Sequence, residues 1–269
     1  MNAYRLYSLA ETDFFGTAAG GGLGAVGCRL GLARSPAKYG PAFDRLRELL
    51  GPFSLLAYRN PTTRRFGKLV ASFTTVLDQA ASEAGEVGWL EKTPGHYRHL
   101  PLIRRFVPGA SVVHVIRWGP DVVASLRDRA LRYAKFERQA EFHYGVRLWN
   151  RALSAALRDA RRYAASVVLY EDFANYPKAL LQALGRELGL AERRAGEPGG
   201  DYAIYAEEER WKHAVDGSVR PAASKFSEVF SQRERDWVER SLSLMAYRRL
   251  VERATRPANV WLDRRNQVY

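Results

Sequence analysis

The sequence contains very little cysteine. Cys28 is the only cysteine among 269 residues, which excludes an intramolecular disulfide and a cysteine-rich zinc site. A reduced, cytoplasmic compartment is the simplest expectation for such a chain. No apolar run approaches the ~20 residues that a membrane-spanning helix needs. The start, MNAYRLYSLAETDFF, lacks the basic beginning and the apolar centre of a secretory signal peptide.

Acidic residues are also scarce relative to basic ones. The chain has 42 Lys and Arg against 29 Asp and Glu, a net charge of +13. Such an excess favours anionic partners, namely nucleic acid, an acidic membrane surface or a phosphate-rich small molecule. The sequence has no zinc motif, no helix-turn-helix pattern and no glycine-aromatic RNA motif. Charge alone therefore leaves the choice among these partners open.

The pattern of apolar residues predicts an α/β fold. Three short runs rich in β-branched or aromatic residues predict strands at 87–92, 111–116 and 166–170. None alternates cleanly with polar residues, which is typical of parallel strands buried on both faces. Amphipathic patterns predict helices at 62–84, 98–106, 141–164, 177–190 and 232–254. Alternating strands and helices indicate right-handed βαβ units. No linker divides the chain convincingly, so we expect a single domain over 1–269.

Two segments predict loops by their composition. Residues 16–40 are rich in glycine, and the segment RRAGEPGG at 193–200 is typical of a turn or linker. Residues 211–231 mix polar, basic and aromatic side chains without a period.

The stretch VVHVIRWGPDVVASL suggests a phosphate site. Arg117 directly follows a predicted strand, and ligands of open parallel sheets bind at the carboxyl ends of the strands. Its planar guanidinium can donate two hydrogen bonds to one phosphate. Pro120 suits the first turn of a helix, whose free N–H groups favour an anion, and Ser125 adds a hydroxyl. A surface arginine and an unrelated helix serine are the alternative interpretation.

A second set of polar residues follows the predicted strand at 87–92. Glu91 and Lys92 stand at its end, and Pro94 disfavours helix at Thr93, which predicts a turn. His96 and His99 come next on a predicted helix. The alternative to a functional role is that each histidine lies on the helix face and makes a local hydrogen bond.

Together these segments resemble a known family. EKTPGHYRHLPLIRRFVPGASVVHVIRWGPDVVASL is similar to the core of the sulfotransferases that use 3′-phosphoadenosine 5′-phosphosulfate (PAPS). In that family a strand ends in arginine, and a serine eight places on completes the pocket for the 3′-phosphate. Arg117 and Ser125 match this pair. SLAETDFF resembles the family's Glu-Thr-x-Phe-Phe segment, and SVVLYEDFANYPKALLQALGRELGL its Tyr-Glu-Asp turn and leucine-rich helix.

The resemblance implies a fold, a reaction and roles for particular residues. The fold would be a three-layer α/β domain with a mainly parallel sheet of the P-loop nucleoside triphosphate hydrolase type. The reaction would transfer a sulfonate group from PAPS to a hydroxyl of a small molecule, sugar or peptide, without a metal. Glu11 would be the general base and Lys92 would stabilise the leaving oxygen. Arg220 and Lys225 match a basic loop that closes over the cofactor, and Trp211 could stack on adenine.

The sequence departs from the family pattern at two places. Trp118 stands where the family has an aspartate, and it could pack or touch the adenosine. The phosphate loop Gly-x-x-Arg-Ser-Gly-Thr-Thr should precede the Glu-Thr segment by ~25 residues, the length of a loop and a helix. Only ten residues precede Glu11. We therefore expect the first strand and the phosphate loop upstream of Met1, and a gap or an unpaired central edge in the sheet where that strand belongs.

Other interpretations of the same residues stay open. GLGAVG, at 22–27, fits Gly-x-Gly-x-x-Gly but lacks a preceding strand, which favours a flexible loop. The chain could be a truncated or degenerate sulfotransferase-like protein with little activity. A phosphate-loop kinase is disfavoured because no Gly-Lys-Ser/Thr occurs. A basic nucleic-acid-binding protein is the remaining alternative.

Overall fold

The computed structural model describes residues 3–50, 61–133, 136–137, 140–194 and 223–256. These residues form two compact units. The first takes its residues from Met1–Ala110 and Gly189–Ser218, and the second from Ser111–Leu188 and Val219–Tyr269. The single domain expected over 1–269 stays a prediction.

The first unit contains a small parallel sheet and mostly helices. Its elements are β1 (Leu6–Ser8), α1 (Phe14–Ala19), α2 (Leu23–Arg29), α3 (Pro36–Leu50), α4 (Phe66–Glu83), β2 (Gly88–Leu90), a 3-10 helix (Pro94–Arg98) and α5 (Leu100–Phe106). β1 pairs in parallel with β2, with Leu6 opposite Gly88 and Ser8 opposite Leu90.

Aromatic residues fill the core of the first unit. The Phe14 ring stacks on Phe73 with the ring centres 3.9 Å apart, and Phe43 meets Phe14 edge-on at 5.5 Å. Phe66, Leu69, Phe73 and related positions of α4 recur every three or four residues and are buried, as a helix with one apolar face requires. This core fixes α1, whose N-terminus directly follows the Glu-Thr segment.

The second unit is built in the same way around another parallel pair. Its elements are β3 (Val113–Ile116), α6 (Gly119–Arg132), α7 (Phe142–Tyr163), β4 (Ser166–Leu169), α8 (Tyr170–Asn175), α9 (Pro177–Leu188), α10 (Phe226–Val229), α11 (Gln232–Ser241) and α12 (Leu244–Arg253). β3 pairs in parallel with β4, with Val113 opposite Ser166 and Ile116 opposite Leu169.

Close packing at Gly119 sets the start of α6. A Cβ atom at this position would lie 2.9 Å from Leu242 and 3.1 Å from the Trp149 ring. Trp149 and Leu153 lie on the buried side of α7. Glycine is therefore required where the chain turns from β3 into α6, immediately after Arg117 and Trp118.

Several sequence predictions about the elements need correction. The loop expected over 16–40 is wrong, because α2 occupies Leu23–Arg29 and α3 begins at Pro36. GLGAVG thus lies mostly in a helix, and Gly20 and Gly22, with φ of 64° and 55°, form the turn before it. The helix expected over 232–254 is two helices, α11 and α12, because the backbone is not helical at Leu242 and Ser243. β1 was not predicted.

The described strands form two parallel two-stranded ladders, where one interrupted sheet was expected. The protein is thus a mixed α/β structure that is mostly helical, in agreement with the predicted α/β class. The three-layer arrangement of the P-loop type stays a proposal. None of the described helices is long and apolar enough to cross a membrane.

Candidate functional site

Arg117 and Tyr170 follow directly on β3 and β4. Because Ile116 and Leu169 are partners in the parallel ladder, both residues leave the sheet at its carboxyl edge. The guanidinium carbon of Arg117 lies 4.9 Å from the centre of the Tyr170 ring, within reach of a cation–π attraction. The Trp149 indole N–H donates to the Arg117 carbonyl at 3.1 Å. These contacts fix both the backbone and the side chain of Arg117.

The guanidinium of Arg117 is only partly satisfied by the residues that the structure describes. Its Nη2 lies 3.6 Å from Oδ2 of Asp121, longer than a hydrogen bond, and the side chain is 22% exposed. Its Nε is buried and has no hydrogen-bond partner among the described residues. A buried donor without an acceptor costs roughly 1–3 kcal/mol. This edge of the sheet therefore favours a ligand that brings an acceptor to the guanidinium.

Glu171 fixes the turn after Arg117. Its Oε1 accepts the Trp118 backbone N–H at 2.8 Å, and its Oε2 is buried without a hydrogen-bond partner among the described residues. Burial raises the pKa of Glu171, and the Trp118 N–H and the charge of Arg117 offset this only in part. The Trp118 ring packs edge-on against Tyr247 at 5.3 Å. The residue that departs from the family pattern thus has a packing role.

Ser125 lies exposed on α6, four residues after Asp121 and three before Asp128. Residues at these spacings share one side of a helix. Because Asp121 is the residue beside Arg117, Ser125 follows on that side, ~6 Å further along the helix axis. Lys225 donates to Oδ2 of Asp128 at 2.6 Å, a bond that lowers the pKa of Asp128. Arg117, Ser125 and Lys225 are therefore ordered along one side of α6.

The two remaining residues expected at the cofactor have no structural account. Arg220 and Trp211 lie outside the described residues. Their roles stay predictions from the resemblance.

Glu11 and Lys92 meet in the first unit. Each follows a strand of the β1–β2 ladder, and the Leu9 N–H extends that ladder by donating to the Leu90 carbonyl at 3.1 Å. Lys92 Nζ lies 2.5 Å from Glu11 Oε1, and the two side chains are 64% and 29% exposed. The neighbouring carboxylate of Glu91 is engaged with Thr12, Thr93 and His96. A carboxylate and an ammonium group thus share one accessible position at the carboxyl edge of this ladder.

Glu91 is the buried acceptor of a hydrogen-bond cluster. Its Oε1 accepts the N–H and the hydroxyl of Thr12, at 3.2 and 2.7 Å, and the hydroxyl of Thr93 at 2.6 Å. Its Oε2 lies 2.9 Å from Nδ1 of His96. Burial by itself would raise the pKa of Glu91, but the bonds to His96, Thr93 and Thr12 outweigh it and lower the pKa. This cluster ties the segment after β1 to the segment after β2.

A cavity of about 430 Å³ lies beside this cluster, within the first unit. Asp13, Gly95, Arg98 and His99 are among its lining residues. His99 is buried, and burial together with the charges of His96, Arg98 and Arg29 lowers its pKa to about 4. The imidazole is therefore neutral at pH 7, a state that the helix-face interpretation of His99 did not anticipate.

The lowered pKa of His99 predicts a pH dependence of stability. The unfolded chain binds a proton near the ordinary pKa of 6.5, whereas the folded chain does so near 4. The stability due to neutral His99 is thus fully present above pH 6.5 and is lost as the pH falls towards 4. We expect a loss of about 1–2 kcal/mol after allowing for solvent screening.

Urea unfolding at pH 7 and at pH 4.5 measures this loss. In His99→Gln the difference between the two pH values should shrink by that amount. An unchanged difference would show that His99 titrates alike in the folded and unfolded chains.

Sequence reasoning singled out His99 but missed Asp13 and Arg29, which also line the cavity. Asp13 was not singled out, although Asp is one of the few residue types that tolerate the left-handed conformation found here, φ 46°. Its position two residues after Glu11 was the available signal. Arg29 gave no signal, because it lies in the segment predicted to be a loop.

No group of three or more His, Cys, Asp or Glu side chains in the described part of the chain could hold a metal ion.

Comparison with known families identifies the family to which this chain belongs. The family model described as the sulfotransferase family matches residues 52–193, just over half of the chain. The chain belongs to the sulfotransferase family. No curated protein and no solved structure gives a significant match. The matched span of this sulfotransferase contains Lys92, Arg117 and Ser125, whereas Glu11 and Lys225 lie outside it.

Membership of the sulfotransferase family makes the chain a member of a family of transferases. It confirms the resemblance that the sequence analysis drew from the segments around Lys92 and Arg117.

Proposed function

We propose that this protein transfers a sulfonate group from PAPS to a hydroxyl group of an acceptor. The observation that carries the proposal is the state of Arg117, a cation at the carboxyl edge of β3–β4 whose buried Nε has no partner among the described residues. It lies within the span matched by the sulfotransferase family. An anionic group with several acceptor oxygens satisfies such a guanidinium best.

The residues along α6 fit the 3′-phosphate of the donor. Arg117 would donate through its guanidinium, and the exposed hydroxyl of Ser125 would add a second donor on the same side of the helix. Lys225 is within reach of that side through its bond to Asp128. Arg220 is proposed to join them on the strength of the resemblance alone. When bound, PAPS supplies the activated sulfonate group.

Glu11 is proposed to accept the proton of the acceptor hydroxyl, and Lys92 is proposed to stabilise the negative charge of the leaving oxygen. Glu11 would accept the proton of the acceptor hydroxyl while the bond from its oxygen to sulfur forms. Lys92 would bind the oxygen that gains negative charge as the old sulfur–oxygen bond breaks. In the structure the two side chains neutralise each other. The acceptor hydroxyl must therefore displace the ammonium from Glu11, which the exposure of Lys92 permits.

Replacing Glu11 with glutamine tests the role of the base. Glutamine keeps the size of the side chain but accepts no proton, so the rate of transfer should fall by about 10²–10⁴-fold. The assay follows radiolabelled sulfonate from PAPS into a panel of hydroxyl acceptors. Affinity for adenosine 3′,5′-bisphosphate should stay the same, because Glu11 is not proposed to contact it.

Glu48→Gln is the matched control, since Glu48 is 68% exposed on α3 and pairs only with Arg45 among the contacts described. It should transfer at the wild-type rate. A Glu11→Gln variant that transfers equally well would contradict the assignment of the base. Wild-type protein that binds the bisphosphate but transfers to no acceptor would favour a sulfotransferase-like protein with little activity.

A further inference from the structure

The cavity of the first unit has a mixed lining of charged residues, glycines and the apolar residues Ala25, Pro101 and Leu102. Its lining includes the charged residues Asp13, Arg29 and Arg98 and the glycines 16, 20, 21 and 95. None of the described residues that line it is phenylalanine, tyrosine or tryptophan. Its volume of about 430 Å³ lies within the roughly 300–1,000 Å³ of small-molecule sites. The absence of aromatic rings among these lining residues disfavours flat aromatic ligands, which bind by stacking.

The backbone of Asp13 is held in an unusual conformation that directs its carboxylate to this cavity. Its φ of 46° is left-handed, and its N–H donates to the Thr93 hydroxyl at 3.1 Å. A Cβ atom at Gly16 would lie 2.2 Å from Asp13 Oδ1, so a larger residue there would displace the carboxylate from its present position. Partial burial raises the pKa of Asp13. A carboxylate placed at such conformational cost is suited to accept hydrogen bonds from ligand hydroxyls.

The opposite charge is provided by Arg29 and Arg98, which are exposed. Both line the cavity, and both act electrostatically on the buried, neutral His99. The cavity thus presents one acidic residue, two guanidinium groups and a neutral imidazole. A ligand that matches it carries hydroxyl groups and at least one anionic group.

The cavity adjoins the proposed catalytic pair along the chain. Asp13 follows Glu11 by two residues and Gly95 follows Lys92 by three, and the Thr12 and Thr93 bonds to Glu91 hold these segments together. A ligand in the cavity would therefore lie close to Glu11 and Lys92.

We propose that this cavity is the acceptor site and that the acceptor is an acidic sugar, with hydroxyl groups on Asp13 and a carboxylate or sulfate on Arg29 and Arg98. The identification as an acceptor rests on the proposed function, whereas the binding of an acidic sugar does not. Binding can thus be tested without donor and without transfer.

The test compares two probes by isothermal titration in the absence of donor. One is a disaccharide that contains glucuronic acid, and the other is the same disaccharide with glucose in its place. We expect the acidic disaccharide to bind at least tenfold more tightly, because hydrogen bonds to a charged group are the stronger ones. Arg29→Ala and Arg98→Ala should each weaken the binding of the acidic disaccharide about tenfold. The affinity for the neutral disaccharide should stay nearly the same.

Two further variants separate binding in the cavity from a general effect of charge. Arg47→Ala removes an arginine that pairs with Asp44 on α3, away from the cavity lining, and should bind both probes like the wild type. Gly95→Ala places a methyl group 3.7 Å from Asp13 Oδ1, an ordinary contact that should not disturb folding. By narrowing the cavity, this variant should weaken the binding of both probes severalfold.

Equal affinity for the two probes, no binding of either, or unchanged affinity in Arg29→Ala and Arg98→Ala would overturn the proposal. Binding of the acidic probe with the expected loss in these variants supports the site. If that probe binds there but never receives labelled sulfonate, the identification of the cavity as the acceptor site fails and the site for acidic sugars stands, whereas the proposed function fails only if no acceptor of the panel receives sulfonate. Thermal midpoints of all variants, measured by circular dichroism, should lie close to that of the wild type.

Discussion

Replacing Arg117 with alanine is expected to weaken the binding of adenosine 3′,5′-bisphosphate by about a hundredfold. Each hydrogen bond from a guanidinium to phosphate contributes roughly 1.5–3 kcal/mol, and the loss of two corresponds to about 3 kcal/mol. Tyr170 contacts the guanidinium of Arg117 and the Trp149 indole binds its carbonyl, so Arg117 is already positioned at the carboxyl edge of β3 before the ligand binds. Isothermal titration with the bisphosphate measures the effect.

Two variants show whether the loss is specific to the guanidinium of Arg117. Arg117→Lys keeps the charge but loses the planar fork, and its affinity should lie between those of the wild type and Arg117→Ala. Arg132→Ala removes an arginine from the same helix, where the side chain is 63% exposed and pairs with Asp128, and should bind normally. If Arg117→Ala and Arg132→Ala weakened binding alike, net charge and not a phosphate site would explain the affinity.

Replacing Glu91 with alanine is expected to lower the free energy of unfolding by about 3–5 kcal/mol. The change leaves Thr12, Thr93 and His96 without their shared acceptor in a buried position, and removing one partner of a buried polar cluster costs about this much. Urea denaturation followed by circular dichroism at pH 7 gives the value. The pKa of Glu91 is lowered from 4.5, so its contribution is present above that pH and is lost as the pH falls through the folded value.

Glu48→Ala is the comparison for this loss, since Glu48 is a carboxylate exposed on α3. It should change the stability by less than about 0.5 kcal/mol. Glu91→Gln keeps an oxygen acceptor and the size of the side chain, so its loss should be smaller than that of the alanine variant. A loss below about 1 kcal/mol in Glu91→Ala would mean that the cluster does not hold the two strand ends together.

The buried strands were predictable because their composition reflects their environment. Val113–Ile116 and Ser166–Leu169 lie inside runs that the sequence analysis assigned to strands, since β-branched residues without alternation suit a parallel strand covered by helices. Leu6–Ser8 was missed because three residues of mixed character carry no periodic signal, and its pairing with Gly88–Leu90 is a tertiary effect.

The helical segments show a different limit. Residues 232–254 keep one apolar period through the break at Leu242 and Ser243, so periodicity alone predicted a single helix. Leu23–Arg29 was missed for the opposite reason. Its glycines predict a loop, and the helix gives little apolar pattern because it buries only Cys28. Packing can override the preference of glycine-rich segments for loops.

The candidate site was predictable where it coincides with predicted strand ends or with the family resemblance. Arg117 follows a predicted strand and Lys92 ends one, and parallel sheets bind ligands at that edge. Glu11 follows β1, which was not predicted, and was found only through the resemblance of SLAETDFF. The ion pair between Glu11 and Lys92 and the cluster around Glu91 depend on distances between segments about 80 residues apart, which a pattern along one chain does not contain. The left-handed Asp13 and the cavity beside it belong to the same class of tertiary features.

The most direct test is whether the protein distinguishes a nucleotide that carries a 3′-phosphate from one that lacks it. The wild-type protein is titrated with adenosine 3′,5′-bisphosphate and with adenosine 5′-monophosphate at one ionic strength, and with duplex DNA in parallel. If Arg117 and Ser125 form a pocket for the 3′-phosphate, the bisphosphate should bind at least tenfold more tightly than the monophosphate. Equal or absent binding of the two nucleotides, with duplex DNA bound in a salt-dependent manner, would contradict it and favour a nucleic-acid-binding protein.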